Sequence, residues 1–363
     1  MSIYDPKILK ICVEKPLDVK YSIENIFEIK KRNNKVYSND QVLQNIRNGD
    51  KNSANKLRAA FIKNKLWNQG SVINIFFLED GSNVPRTSLE NFKKEKDIYG
   101  NPLKIDPLQL IIDNYSVKDA VKKIVNERIN PIVNLKFKFV DDINSSDIRI
   151  SFNSEDGAWS LVGTDSIVEK KSATMNLGWF DVATTIHEFG HVLGMIHEHQ
   201  NPKGESIKWD EKKVYDWASD TQNWDKQTTF HNIIEKYDIN QINGSVFDEN
   251  SIMLYFFPGS LTIDGKGTNE NLRLSEYDVQ YINNIYPGSP EDPKSFYKKV
   301  YNEDIKEEED TPYNTTTPYN TTTPYNTTTP YTTVKNEKKN KLIFNIIIII
   351  CILIFIFVII KIL

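Results

Sequence analysis

His187-Glu188-Phe189-Gly190-His191-Val192-Leu193-Gly194-Met195-Ile196-His197 is the stretch from which the rest of this chain is read. It has the form H-E-x-x-H-x-x-G-x-x-H and holds three of the chain's five histidines. His187 and His191 are i and i+4, so on a helix they stand one turn apart on the same face. Two imidazoles so placed reach a single Zn²⁺ at about 2.0–2.1 Å. Glu188 lies beside the first of them, where it can approach a water on the metal without itself binding the metal. Gly194 follows His191 by three residues, and a glycine takes the left-handed conformation that ends a helix and turns the chain. That turn brings His197 back as a third ligand. Three protein ligands leave a fourth position open, the arrangement of a catalytic rather than a structural zinc site.

The flanks predict a helix. Asp181 is its N-cap, and Val182, Ile186, Phe189 and Leu193 follow helical spacing on a face that packs inward. Upstream, residues 71–78 and 147–152 read as strands, and 173–177 as the strand that leads into the zinc helix. Residues 116–129 read as a first long helix, with Ser116 as N-cap and Asp119 at its third position. Between the first strand and that helix, residues 81–115 are dominated by Asp, Asn, Pro and Lys, which predicts an inserted surface loop.

The motif, the Glu198 that follows its third histidine, and Ser251-Ile252-Met253-Leu254-Tyr255 downstream together resemble the metzincin zinc peptidases, and within them the astacin branch. Trp159-Ser160-Leu161-Val162-Gly163 resembles a stretch near the cleft-lining strand of that family. Leu274-Ser275-Glu276-Tyr277-Asp278-Val279 through Tyr286-Pro287 resembles its closing helix and stop. The resemblance runs from about residue 65 to 288. It implies an α+β fold, a twisted mixed five-stranded sheet with two long helices, then an irregular C-terminal subdomain from about Met195 onward. It implies one Zn²⁺ held by His187, His191 and His197, with Met253 as an apolar floor beneath it. Tyr255 is implied as a loose further ligand that swings away to stabilise the transition state. Glu198 is implied as a structural residue that in mature relatives receives a freed N-terminus. His199 is expected either beyond the ligand set or exposed.

Composition bounds the remainder. The formal net charge is −4, from 45 basic and 49 acidic residues, which makes no case for a nucleic-acid partner. The chain has two cysteines, Cys12 and Cys351, so no disulfide is expected in the catalytic domain. Residues 1–64 are rich in charge, with helical patterning from about 40 to 62. They read as either a small helical subdomain or a pro-like segment; the resemblance implies that such a segment can mask the metal, for which Asn48-Gly49-Asp50 is the candidate. Residues 289–341 read as a disordered stalk in which Thr-Pro-Tyr-Asn-Thr-Thr repeats from Thr311, too poor in apolar mass to fold. Asn314, Asn320 and Asn326 each begin an N-T-T glycosylation pattern.

Residues 342–360 are apolar except for Asn345. As a helix they extend roughly 28 Å, enough for a single transmembrane span. The first eleven residues carry charges but no apolar run of the kind that heads a secreted chain, so the reading is a single-pass, tail-anchored membrane protein. Lys335, Lys338, Lys339 and Lys341 precede the span and only Lys361 follows it, which favours the cytosolic side for the catalytic domain. The Thr-rich, N-T-T-bearing stalk points the other way, and for a viral protein the destination would be the virion surface.

The function expected is a membrane-anchored zinc metalloendopeptidase. It would cleave protein or peptide substrates by a zinc-bound water that Glu188 activates, with Tyr255 assisting. Two readings stand beside it: a matrixin-like peptidase, and a non-catalytic zinc module that binds a partner from a membrane stalk. Ser251-Ile252-Met253 and Glu198 argue against the first. The full set of base, ligands, glycine, Met and Tyr argues against the second.

Overall fold

Alternation along Val72–Phe77 sends Ile73, Ile75 and Phe77 inward and leaves Val72 half exposed, as a strand covered on one face requires. This strand, β1, sits inside a five-stranded mixed sheet with β2 (Lys136–Phe139), β3 (Ile148–Ser151), β4 (Ala158–Ser160) and β5 (Met175–Leu177). The spatial order is β2-β1-β3-β5-β4. The first four run parallel, with Ile75 opposite Ile148 and Ile150 opposite Met175. The edge strand β4 is antiparallel to β5, pairing Trp159 with Asn176. Every residue of β3 and β5 is buried, as central parallel strands covered on both faces should be. The structure is a computed structural model and describes residues 61–62, 65–167, 171–202, 207–237, 242–243 and 247–303.

Two helices pack on this sheet. Helix α1 (Val117–Ile124) continues as a π-turn through Val125–Ile129, matching the expected 116–129. Ser116 caps it by accepting from the Asp119 amide at 3.2 Å. Val117, Val121 and Ile124 face the core at helical spacing. Helix α2 (Val182–Val192) carries the histidine motif, and its Phe189 ring meets Phe137 of β2 edge-on, centroids 5.8 Å apart.

The C-terminal part departs from the expected irregularity. It contains α3 (Glu211–Gln222), a short helix Lys226–Thr229 that runs on as a π-turn through Phe230–Ile234, α4 (Glu276–Ile285) and α5 (Pro293–Tyr301). Each start is capped by a side chain that accepts an orphan amide: Asp210, Asp225, Ser275 and Asp292. Val214, Trp217, Ala218, Ile233, Tyr255, Phe257 and Leu261 form a second apolar cluster there.

Two boundary expectations are corrected. The stretch 81–115 is not a surface loop, because Val84, Leu108 and Ile112 join the main core. Its polar residues are also used inside: the Asp106 carboxylate is fully buried and takes a bidentate grip from Arg128, at 2.7 and 2.8 Å. The stalk does not begin at 289. Helix α5 buries Phe296, Tyr297 and Tyr301 in the main core, and the Tyr301 hydroxyl donates to Asp106 at 3.1 Å. The chain divides into two units between Lys306 and Glu307.

Helical patterning also stops short of 62, since Phe61–Ile62 is a strand antiparallel to Ile242–Asn243. No helix among the described residues is long and apolar enough to cross a membrane. The expected span at 342–360, the repeats, Asn48-Gly49-Asp50 and both cysteines lie outside the described residues.

Candidate metal centre

Helix α2 is held at both ends by residues distant in sequence. At its start the Asp181 carboxylate accepts from the Thr184 amide at 2.7 Å, and Thr87 donates its hydroxyl to the same carboxylate at 2.9 Å. The Val182 amide donates to the Gln109 side chain at 2.9 Å. Thr87 and Gln109 both come from 81–115, so that stretch satisfies one amide the helix start leaves open, through Gln109, and holds the capping carboxylate, through Thr87. At the other end Gly194 takes φ +94°. Its amide donates to His191 O at 2.8 Å and that of Met195 to Gly190 O at 3.0 Å, the paired bonds of a Schellman turn. The next carbonyls are taken by side chains: Trp67 Nε1 donates to Val192 O at 2.6 Å and the Tyr286 hydroxyl to Leu193 O at 2.7 Å.

The turn delivers His197 to the two helix histidines, as the spacing requires. The ligating atoms of His187, His191 and His197 all lie within 4.8 Å of one another, and all three residues are buried. Each ring uses Nδ1 outward: His187 to Ile252 O at 2.8 Å, His191 to Met195 O at 2.9 Å, His197 to the Gln200 side-chain oxygen at 3.3 Å. A carbonyl oxygen only accepts, so each Nδ1 carries the proton and each Nε2 presents a lone pair to the shared space. Burial keeps the rings neutral, pulling His187 down to about 4, His191 to about 3 and His197 well below the ordinary imidazole value.

This arrangement fits a metal ion. Nε2 of His191 and of His197 face each other at 3.0 Å, and Nε2 of His187 is buried with no hydrogen-bond partner among the described residues. Three buried imidazole nitrogens converge there with their lone pairs facing one shared space, an arrangement that a bound cation relieves. Their number and type suit Zn²⁺.

The remaining residues singled out in the sequence are placed differently about the triad. Tyr255 is at the centre, with its hydroxyl on His197 Nε2 and its ring 5.5 Å from that of His187. Glu188 is fully buried on α2, one residue past the first ligand. Met253 is fully buried in the main core, against Gly190 of α2, where an added Cβ would lie 2.4 Å from its Sδ. Glu198 instead turns away from the triad: its carboxylate accepts from Asn201 Nδ2 and the Asp248 amide, each at 3.1 Å, and burial pushes its pKa well up.

His199 is not exposed. Its Nε2 donates to Asn232 O at 3.0 Å, and its ring stacks on His197, 15° from parallel. The turn that carries Met253 and Tyr255 is fixed by α4, because Asp278 accepts from the Ser251 hydroxyl and the Ile252 amide, each at 2.8 Å. Asp278, Gln200, Trp67 and Tyr286 were not singled out as site residues from the sequence. Their partners lie far along the chain or, for Gln200, in a side chain whose direction no spacing rule gives.

The family model for Astacin, a family of peptidases, matches residues 114–287. A solved structure of myroilysin is 30% identical, with 63% of this chain and 98% of that chain covered and a TM-score of 0.50. A crystal structure of myroilysin is 29% identical, covering 61% and 86%, with a TM-score of 0.38. High choriolytic enzyme 1, a hatching enzyme zinc-protease from Oryzias latipes (medaka fish), is 14% identical, covering 61% and 94%, with a TM-score of 0.35. No curated protein matches the chain. With nearly the whole of a myroilysin structure covered at this identity, and three histidines placed to bind zinc, the chain belongs to the astacin family of zinc metalloendopeptidases.

Proposed function

We propose that this zinc peptidase cleaves protein substrates with Glu188 as proton carrier and Tyr255 as oxyanion donor, from a catalytic domain tethered to a membrane through residues 342–360. The observation that carries the chemistry is the convergence of three buried imidazole nitrogens, that of His187 without a hydrogen-bond partner among the described residues. Zinc held by His187, His191 and His197 supplies a Lewis acid that brings the pKa of water near neutrality. Glu188 takes the proton of the attacking water and returns it to the leaving amine. The Tyr255 hydroxyl, now on His197 Nε2, shifts to the oxygen that gains charge as the scissile carbonyl becomes tetrahedral. Met253 and Gly194 keep their structural parts, the first packed under α2 and the second turning the chain to His197.

The membrane reading rests on sequence: the apolar run 342–360, the lysines before it and the repeat tract that separates it from the folded domain. The domain limits proposed are a helical or pro-like segment to about 64, a catalytic domain from 65 to about 303, and a tether from there to 341. The catalytic domain is assigned to the cytosolic side. Loss of mass from the full chain on treatment with an N-glycosidase would overturn that side.

The test of the chemistry uses the full chain in detergent. Zinc content and casein cleavage are measured with and without a chelator, beside Glu188→Gln. The expected result is cleavage that the chelator abolishes, and a variant that keeps one zinc but is slower by about 10²–10⁴-fold. A variant as active as the parent defeats the assignment of Glu188. Zinc without any cleavage in the parent defeats the peptidase reading in favour of a binding module.

A further inference from the structure

Of the three Nδ1 contacts that orient the zinc-binding rings, two go to backbone carbonyls and only that of His197 goes to a side chain, Gln200. Gln200 is buried, and which end of its amide faces His197 follows from its other contacts. Its Nε2 donates to His231 O at 2.8 Å and to Glu235 O at 3.3 Å. Both of those are acceptors only, so the amide nitrogen must face them and the oxygen must face His197. The carbonyls are available for a structural reason. The helix that runs through Phe230–Ile234 ends there, and the last carbonyls of a helix lack partners within it. His199 takes another of them, Asn232 O. The residues just after the third ligand are therefore docked on the end of one helix, and that docking aims the Gln200 oxygen.

We propose that Gln200 is the positioning residue of the metal centre: it fixes the tautomer and the orientation of His197 by accepting its Nδ1 proton, and in doing so ties the third ligand to the end of the 226–234 helix. The proposal rests on His197 being a ligand. An acceptor on Nδ1 makes the opposite nitrogen a better donor and holds the ring in register, the role that outer partners of metal-bound histidines play. The other two rings cannot be probed this way by mutation, because their acceptors are main chain.

The test measures zinc affinity of the full chain by competition with a chelator of known affinity. Gln200→Met keeps the size and removes the acceptor. Gln200→Glu keeps an acceptor for Nδ1 but loses the donor to His231 O and Glu235 O. The expected result is a loss of about 10–100-fold in zinc affinity for Gln200→Met, with Gln200→Glu restored to within a few-fold of the parent. If Gln200 merely caps the helix, the two variants lose affinity alike, and that result overturns the proposal. So does a Gln200→Met chain that binds zinc as tightly as the parent.

The parent supplies a check that no misfolded variant can spoil. Histidine ¹⁵N spectra of the metal-free chain should place the His197 proton on Nδ1, and a proton on Nε2 overturns the assignment. A parent chain that takes up no zinc at all defeats the metal centre itself, a different failure from two variants that match a zinc-binding parent.

Discussion

Gly190 sits inside α2, where a glycine ordinarily weakens a helix. Propensity alone says that alanine there should stabilise by about 1 kcal/mol. Contact says the opposite, because the new methyl would lie 2.4 Å from Met253 Sδ, and Met253 is itself fully buried. We expect Gly190→Ala to lower both the urea midpoint and the zinc content, since Met253 must push into the turn that carries Tyr255. A rise in the midpoint would show that Met253 gives way freely. Tyr255→Phe removes a hydroxyl and leaves the ring packing in place. It should lower kcat by about 10²–10³-fold with KM nearly unchanged, the mark of a group that acts in the transition state. Equal losses from a raised KM would assign Tyr255 to substrate binding instead.

The site residues legible in the sequence are those within one local spacing rule, His187, Glu188, His191, Gly194 and His197, where helix periodicity and a turn do the positioning. Tyr255 and Met253 were legible only through a family resemblance, because nothing local links them to a helix some 60 residues earlier. Gln200 and Gly190 stood in plain view within or beside the motif. Neither could be read, because one needs an acceptor's direction and the other a neighbour's identity.

At the scale of elements, polarity was the misleading signal. Residues 81–115 look like a loop by composition, yet Thr87 and Gln109 serve the first turn of α2 and Asp106 is fully buried. A polar residue that satisfies a helix end reads the same in sequence as one that faces water. The strands and α1 were legible because their apolar period is regular. Helix α5 was missed for the reason that Pro293 and the charged residues around it resemble linker, although Asp292 before Pro293 is a sound helix start. Phe296→Ala is the direct check. Phe296 is fully buried, so the substitution should cost about 3–5 kcal/mol in urea unfolding. A cost near zero would mean that α5 does not pack on the domain.

For the whole molecule, the metal centre governs how stability varies with pH. Burial holds four imidazoles below the ordinary value of 6.5, with His187 at about 4, His191 and His199 at about 3, and His197 well below. Burial pushes two carboxyls, Glu198 and Asp278, upward. Between about pH 4.5 and 6.5 the unfolded chain binds protons on four imidazoles that the fold keeps bare. Against these four, the fold retains protons on the Glu198 and Asp278 carboxyls that the unfolded chain has lost. The unfolded state therefore binds more protons, and stability must fall as pH falls through that range. Metal-stripped protein should show a declining urea midpoint from pH 6.5 toward 4. A flat or rising midpoint would place the histidines in contact with water.

The knot of Asp106, Arg128 and Tyr301 also has a mechanical meaning. Traction on the chain beyond 303 arrives first at α5, the last described helix, whose final turn is moored through the Tyr301 phenol to a carboxylate that Arg128 grips with two bonds. Arg273 lies over the same phenol ring, 4.6 Å from its centroid. Three props of α2 attach elsewhere, at Trp67, Tyr286 and Thr87, while the fourth, Gln109, lies in the turn that Asp106 caps. A tug on the tail would be borne first by this mooring, which meets the start of α2 through Gln109: its main-chain amide donates to Asp106 O at 2.9 Å while its side chain accepts from the Val182 amide.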